Sequence, residues 1–346
     1  MHKIRFVLTK RDLYLMSAGF MLSAFAQRLL RISWGFLPRV GLWKTSVWRR
    51  SGKPKKPLDF YHTAKSTFRK AAVTFAGSVS RKEVDKVICA QYEVFTAEDG
   101  EMHDDILCEG SSARRNNFCE RIGILAERYC PALRDFTGES GDTTALEVGC
   151  LAGGVSFELA RSFQAVFGCD ESKECITIAD AMKKRGWIRY RILREADIYE
   201  EKTATIDASI DRERVSFARI KFKDIYTPYN LFKPENPFDC VVSLCLTRLS
   251  DPMMFLKRLV DFVAPNGICV LGSSFDWSEG TTPKDKWLGG YIDRDGRLIS
   301  NMHTIRSLME SNFTLVHVED LPLSIRESSR QEFVMTYSIS VWKRRR

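Results

Sequence analysis

Residues 147–154, with the sequence EVGCLAGG, decide the fold of this chain. They end an apolar run and lead into a helical pattern at residues 155–161. A second apolar run, residues 165–169, then ends in Asp170. This order of elements builds a nucleotide-binding crevice: strand, glycine turn, helix, strand and acid. The glycines let the backbone approach a ligand, and an acid about twenty residues on can bind a ribose.

The spacing of the glycines indicates which nucleotide the crevice accepts. Dinucleotide sites use G-x-G-x-x-G, whose helix N–H groups bind a pyrophosphate. Here the pattern is E-x-G-x-x-x-G, with Leu151 in the place of a middle glycine and Glu147 at the start. An acid at that place suits an amine and a sulfonium better than a phosphate, so the sequence predicts S-adenosylmethionine rather than NAD. Glycines also end ordinary strand–helix turns, which leaves a plain α/β turn as the alternative.

The rest of the chain alternates between strand-like and helical patterns, which indicates a parallel sheet with helical crossovers. Strand patterns cover residues 214–222, 237–244 and 268–271, and Asp224 after the first of them is expected to accept from an adenine amino group. The last two apolar runs, 313–318 and 335–342, have no helix between them. The predicted fold is α/β and Rossmann-like, of the class I methyltransferase type. It has a mostly parallel seven-stranded sheet with an antiparallel last strand and helices on both faces. The expected cofactor-binding residues are Glu147, Gly149, Cys150, Gly153, Asp170, Asp224 and Ser243.

Two C-terminal blocks are more specific than the glycine turn. They are TTPKDKWLGG at residues 281–290 and IRE at 325–327, with DLP at 320–322 just before the second. Together with EVGC and with SFELAR at 156–161, they make residues 118–342 resemble the methyltransferase portion of ovothiol-biosynthesis enzymes, the 4-mercaptohistidine N1-methyltransferase family. The resemblance implies methyl transfer from S-adenosylmethionine to a ring nitrogen of a thiol-bearing histidine, a small-molecule substrate.

Departures from the family pattern keep other functions open. Cys245 and Ser274 stand where the family often has Asn and Pro. A methyltransferase for another small heteroaromatic metabolite is therefore an alternative, and so is a partner protein that has the fold but no activity. The five histidines lack the spacing of paired iron ligands, so we expect no metal site.

Candidate residues for the acceptor follow from the chemistry of an imidazole amino acid. Arg248 and Arg326 can bind its carboxylate, since guanidinium pairs with carboxylate in a bidentate way. Glu327 can orient the ring by accepting its N–H. Trp277 and Tyr291 belong to an aromatic cluster in the loop after the fifth predicted strand and can line the pocket. Surface ion pairs, a solvated carboxylate and simple packing are the respective alternatives.

The net charge of +9 comes from the N-terminal segment. Residues 1–57 contain thirteen Lys and Arg against one acid, which leaves 40 basic and 43 acidic residues in the remainder. We therefore expect no nucleic-acid partner. We interpret 1–57 as a basic targeting segment with a linker, 58–140 as a helical cap and 141–346 as the methyltransferase domain. The first segment predicts an organelle, mitochondrion or plastid, with the cytoplasm or a membrane anchor as alternatives. Its apolar stretch, residues 13–26, is shorter than the ~20 residues that span a bilayer.

Overall fold

The computed structural model describes residues 81–92, 117–134, 143–226 and 236–346. These ranges form eleven strands and eight α-helices. The strands are β1 Thr144–Val148, β2 Ala165–Asp170, β3 Trp187–Glu195, β4 Ile198–Thr205, β5 Val215–Arg219, β6 Phe238–Ser243, β7 Val263–Ser273, β8 Tyr291–Ile292, β9 Leu298–Ile299, β10 Phe313–Ser328 and β11 Gln331–Arg344. The helices are α1 Arg81–Tyr92, α2 Phe118–Tyr129, α3 Pro131–Arg134, α4 Gly154–Leu159, α5 Lys173–Arg185, α6 Phe222–Tyr226, α7 Pro252–Phe262 and α8 Asn301–Met309.

Seven of the strands form one sheet in the order β10-β11-β7-β6-β1-β2-β5. The pairs from β7 to β5 are all parallel, while β11 runs antiparallel to both β7 and β10. This is the strand order of a Rossmann-like class I methyltransferase, and it confirms the predicted fold class with its antiparallel last strand.

The sheet is buried on both faces, as a parallel sheet requires. Alternate strand residues therefore belong to two different apolar cores: Ala145 faces one and Leu146 the other. Helices α1, α2, α4 and α5 contribute to the first core, and α6, α7 and α8 contribute to the second. The alternation of strands and helices predicts helices on both faces, and the two cores confirm them.

A second, two-stranded sheet is inserted between α5 and β5. Its strands β3 and β4 pair antiparallel from Trp187↔Thr205 to Glu195↔Ile198. The sequence predicts an insertion at residues 195–211, either solvated or a small hairpin. The hairpin is present, but it begins earlier, because the apolar residues Tyr190 and Ile192 are buried in the first core.

The terminal hairpin is longer than the sheet that it joins. β11 pairs with β7 only from Ser338 to Lys343, whereas β10 and β11 pair with each other up to Ser328↔Gln331. The part beyond Ser273, the last residue of β7, projects past the carboxyl edge of the sheet. There Ser329 donates its N–H to the Leu193 carbonyl of the inserted hairpin at 2.8 Å. The two hairpins therefore meet above the edge where ligands bind in open α/β sheets.

Two elements differ locally from the sequence patterns. β5 ends at Arg219, and Phe222–Tyr226 is a short helix rather than the end of the strand. β7 starts at Val263, directly after α7, and its ladder to β6 is irregular where Asn266 adopts a φ of 67°. Within the described ranges, no helix is long and apolar enough to cross a membrane.

Candidate functional site

The glycine turn after β1 adopts left-handed backbone at every second residue. Gly149, Leu151 and Gly153 have φ values of 86°, 51° and 91°. A leucine in this region costs roughly 1–2 kcal/mol relative to the right-handed form. The turn therefore keeps the path that a middle glycine would give it, although the sequence has Leu151 there.

The turn is too crowded for side chains at its two glycines. A Cβ on Gly149 would lie 2.7 Å from the Cys245 side chain, and one on Gly153 would lie 2.6 Å from the Phe217 ring. Real Cβ contacts are never this short, so both positions need glycine for space as well as for φ. Side chains from β5 and from the segment after β6 therefore pack directly against the turn.

Asp170, the last residue of β2, is the buried acid of the site. Its side chain is 0% exposed. One carboxylate oxygen accepts the N–H of Leu151 at 3.2 Å, and the other accepts the N–H of Ser172 at 2.9 Å. The predicted ribose acceptor is therefore held rigidly beside the glycine turn.

Arg248 closes the site from the solvent side. It ends a 3₁₀ turn, Leu246–Arg248, that follows β6. Its two Nη atoms lie 3.5 Å from the two oxygens of Asp170, and its guanidinium lies 5.5 Å from the centre of the Phe222 ring. The structure thus brings together one predicted acceptor residue and one predicted cofactor residue.

Glu147 lies inside the sheet, at the next-to-last position of β1. It is 2% exposed and accepts a hydrogen bond from the Ser156 hydroxyl on α4. Burial raises its pKa to about 7, with a smaller contribution from the charge of Asp170. The two acids are therefore neighbours, and Glu147 changes its charge near neutral pH.

Helix α1 covers the glycine turn from above, a contact that the sequence does not predict. The side-chain oxygen of Gln91 accepts from the N–H groups of Ala152 at 3.0 Å and Gly154 at 3.4 Å. The Tyr92 hydroxyl donates to the Ala152 carbonyl at 2.8 Å. A hydrogen bond between segments about sixty residues apart leaves no local sequence signal, so no motif could have identified Gln91.

The remaining predicted cofactor residues are Cys150, Ser243 and Asp224. Cys150 is buried in the turn, and burial, followed by the charges of Glu147 and Asp170, raises its thiol pKa well above the usual value. Ser243 ends β6 and is buried, with its hydroxyl 3.4 Å from the Cys245 sulfur. Asp224 lies on α6, where it is half-buried, and burial raises its pKa.

Arg326 and Glu327 lie near the tip of the projecting hairpin, in a separate cleft. Lys86 of α1 forms an ion pair with Glu327. The inserted hairpin contributes Arg191, which lies 3.6 Å from the buried carboxylate of Asp85. The lining residues are Lys82, Asp85, Lys86, Cys89, Arg191, Ile192, Leu193, Tyr199, Arg326 and Glu327. This roof cleft, as we call it, combines cations and carboxylates, which suits a zwitterionic ligand.

The predicted aromatic residues lie on the other side of the strand ends. Trp277 stacks on Trp287 with ring centres 6.4 Å apart and donates its indole N–H to Asn301 at 2.8 Å. Tyr291 is half-buried in β8. Both tryptophans contact other protein groups here, and these contacts give them a structural role.

A further group links the aromatic side to Arg248. Tyr337 packs edge-on against Phe118, with ring centres 5.3 Å apart. Burial raises the pKa of Tyr337, the charge of Asp276 raises it further and the charge of Arg248 lowers it. Tyr337 is therefore a partly buried tyrosine whose pKa responds to the charges of both Arg248 and Asp276.

Some predictions fall on residues outside the described ranges, and one concerns metal binding. The targeting segment, residues 1–57, and most of the predicted cap lie outside the described residues, so the organellar location and the domain division stay predictions. Across the ranges that the structure describes, no cluster of His, Cys, Asp and Glu is arranged to hold a metal ion.

Solved structures with a similar arrangement include methyltransferases. No protein-family model and no curated protein matches the chain. The N-methyltransferase NodS from Bradyrhizobium japonicum is 18% identical, with 66% of this chain and 98% of that chain covered and a TM-score of 0.36. A SAM-dependent methyltransferase from Methanosarcina mazei is 17% identical, with coverages of 62% and 97% and a TM-score of 0.39. The cyclase SpnF is 15% identical, with coverages of 78% and 98% and a TM-score of 0.40. Because these scores are low, the fold assignment rests on the strand order of this chain.

Proposed function

We propose that this chain is a S-adenosylmethionine-dependent N-methyltransferase that acts on a small thiol-histidine-type substrate, converting 5-thiohistidine (4-mercaptohistidine) into an ovothiol. One observation carries the cofactor part of the proposal. The rigid, fully buried carboxylate of Asp170 lies beside a glycine turn at the carboxyl edge of a class I methyltransferase sheet. Ligands bind at this edge in open α/β sheets.

The residues at this edge fit an adenosyl group. A carboxylate can accept both hydroxyls of a ribose, and Asp170 is fixed for this by two backbone N–H groups. The glycine turn brings its backbone N–H groups close to Asp170, and Glu147 adds a second acid beside it. S-adenosylmethionine would supply an electrophilic methyl group on its sulfonium at this site.

The acceptor chemistry needs positioning more than a strong base. Neutral imidazole has a nucleophilic lone pair, since its reference pKa is about 6.5. Its nitrogen forms the new bond to the methyl carbon while the sulfonium bond breaks, and the other ring nitrogen releases its proton. The protein must hold the two reacting atoms in line, near van der Waals contact. A carboxylate that accepts the departing proton can fix the ring.

Two groups of residues in this chain can hold such an acceptor. Arg248 lies at the adenosyl site itself, with Asp276 and Tyr337 near it. Arg326 and Glu327 lie in the roof cleft above the same sheet edge, with Glu327 already paired to Lys86. We propose that an arginine binds the amino-acid carboxylate and that an acid orients the ring. The resemblance at residues 281–290 and 325–327 is the support for the thiol-histidine substrate.

Mass spectrometry tests the proposed function directly. The full-length chain is incubated with S-adenosylmethionine and 5-thiohistidine, and the product is analysed for the gain of one methyl group on a ring nitrogen. Histidine and imidazole serve as alternative acceptors. Methylation of another heteroaromatic compound in preference to 5-thiohistidine would keep the reaction class and overturn the substrate.

A second candidate has one specific observation in its favour. The N–H groups of Leu151, Ala152 and Gly154 all bind protein acceptors, and Arg248 already pairs with Asp170. A partner protein that keeps the fold without turnover would have such a self-satisfied site. Binding of S-adenosylhomocysteine without methylation of any thiol-imidazole would support this candidate.

A further inference from the structure

Arg248 and the ribose of an adenosyl ligand require the same face of Asp170. Each oxygen of this carboxylate has one backbone donor, from Leu151 or Ser172, and one Nη atom of Arg248 at 3.5 Å. The backbone donors are fixed by the turn and by the end of β2. The guanidinium belongs to a long side chain that is 42% exposed, while Asp170 is 0% exposed. Ribose hydroxyls arriving from solvent would therefore take the place of Arg248.

The pair is weak enough to be exchanged. Its distances of 3.5 Å are at the outer limit of hydrogen bonding. Arg248 is 42% exposed, so water competes for its side of the pair. Competition by Arg248 therefore lowers the affinity for a nucleoside several-fold rather than preventing binding.

Once displaced, the guanidinium of Arg248 can contact a second ligand group. It lies over the Phe222 ring, and its charge lowers the pKa of Tyr337. The loop that carries Asp276 borders the same tyrosine. A carboxylate ligand near Tyr337 would be within the range of the released side chain, and guanidinium binds carboxylates in a bidentate way.

We propose that Arg248 couples the two substrates: it competes with the ribose for Asp170 and, once displaced, binds the carboxylate of the acceptor. This inference rests on the proposed function, since it assumes an adenosyl ligand at Asp170. It makes binding ordered, because the nucleoside releases the residue that the acceptor needs. By linkage, the acceptor then tightens nucleoside binding by the same factor.

The test compares the full-length chain with its Arg248→Met variant by calorimetric titration of S-adenosylhomocysteine. We expect the variant to bind the nucleoside about fivefold tighter, since it lacks the competitor. Arg248→Lys keeps the charge without the forked geometry and should lie between the two. Arg161→Met, which removes an arginine paired with Glu158 and Asp207, serves as the matched control and should bind as the unchanged chain does. Thermal unfolding of each variant verifies that it is folded.

A second titration measures the coupling. In the unchanged chain, saturating S-adenosylhomocysteine should tighten binding of 5-thiohistidine about fivefold, and this gain should vanish in Arg248→Met. Weaker nucleoside binding by both Arg248 variants, or unchanged coupling, would overturn the inference while the proposed function stands. Failure of both the unchanged chain and Arg248→Met to bind S-adenosylhomocysteine would instead remove the proposed function, and the inference with it.

Discussion

The side-chain oxygen of Gln91 accepts the backbone N–H of Ala152 at 3.0 Å, across 61 residues of chain. This contact fixes helix α1 to the glycine turn. It satisfies N–H groups at the start of α4 that would otherwise need water or a ligand. The position of the turn therefore depends on a helix that belongs to the predicted cap.

Gln91→Ala should loosen the glycine turn without unfolding the sheet. The variant loses an acceptor for two N–H groups, so we expect faster hydrogen exchange in residues 149–155 and about tenfold weaker binding of S-adenosylhomocysteine. Exchange measured by mass spectrometry reports the first effect, and calorimetry reports the second. Gln164→Ala, at an exposed position, should change neither. Equal exchange rates in Gln91→Ala and the unchanged chain would contradict the proposed contact.

Gly149→Ala should destabilise the protein by roughly 2–4 kcal/mol. The new Cβ would lie 2.7 Å from Cys245 at a φ of 86°, and strained backbone and overpacking both contribute. Urea unfolding measures the loss. A double-mutant cycle with Cys245→Gly separates the two causes, because only the steric part is relieved. A coupling energy of at least about 1 kcal/mol is expected, and strict additivity would mean that the crowding has no energetic effect.

The raised pKa of Glu147 predicts that the stability of the fold depends on pH. Burial raises the pKa of Glu147 in the folded chain to about 7, above the usual glutamate value of 4.5. Because this pKa is higher in the folded state than in the unfolded state, protonated Glu147 stabilises the fold. This stabilisation is fully present below pH 4.5 and is lost as the pH rises through 7. Glu147→Gln should therefore be more stable than the unchanged chain at pH 8, by up to about 3 kcal/mol, and equal to it near pH 4.

Urea titrations of both proteins between pH 4 and pH 8 check this. The difference between the two unfolding free energies is the informative quantity, since the other titrating groups cancel in it. A difference that does not change with pH would show that Glu147 ionises normally.

Arg326→Ala should raise the Michaelis constant for the acceptor more than it affects cofactor affinity. Arg326 lies in the roof cleft rather than beside Asp170, so its loss leaves the adenosyl site in place. Steady-state kinetics with 5-thiohistidine and calorimetry with S-adenosylhomocysteine measure the two quantities. Arg330→Ala, which removes an exposed ion pair with Glu195 at the tip of the same hairpin, is the matched control. Loss of cofactor affinity with an unchanged Michaelis constant would move Arg326 out of the acceptor site.

Most of the fold could be predicted because its determinants are local. The strand–turn–helix pattern around residues 147–170 defines β1, α4 and β2, and the absence of a helix between the last two apolar runs predicts the antiparallel pair. The end of β5 could not be placed, since Phe222 and Ile225 are apolar in a strand and in a short helix alike. How far the last hairpin projects beyond the sheet depends on where β7 ends. The sequences of β10 and β11 carry no information about the end of β7.

The site could be predicted in part. Asp170 and the glycine turn lie at adjacent strand ends because the chain order requires it. The pair between Arg248 and Asp170 joins the end of β2 to the 3₁₀ turn after β6, 78 residues further along the chain. The sequence patterns assign the two residues to different ligands. The separation of Arg326 from Asp170 likewise follows from the length of the terminal hairpin, for which the apolar pattern gives only a lower bound.

The most direct test of the account is the affinity of the full-length chain for S-adenosylhomocysteine, measured against its Asp170→Asn variant. Asparagine keeps an acceptor for a backbone N–H but removes the charged acceptor of the ribose, so binding should weaken roughly 100-fold. The variant should remain folded, and Asp207→Asn, at an exposed acid, should bind normally. Measurable binding by the unchanged chain together with its loss in Asp170→Asn is the predicted result. Equal affinities in the two proteins, or no binding by the unchanged chain, would contradict the account.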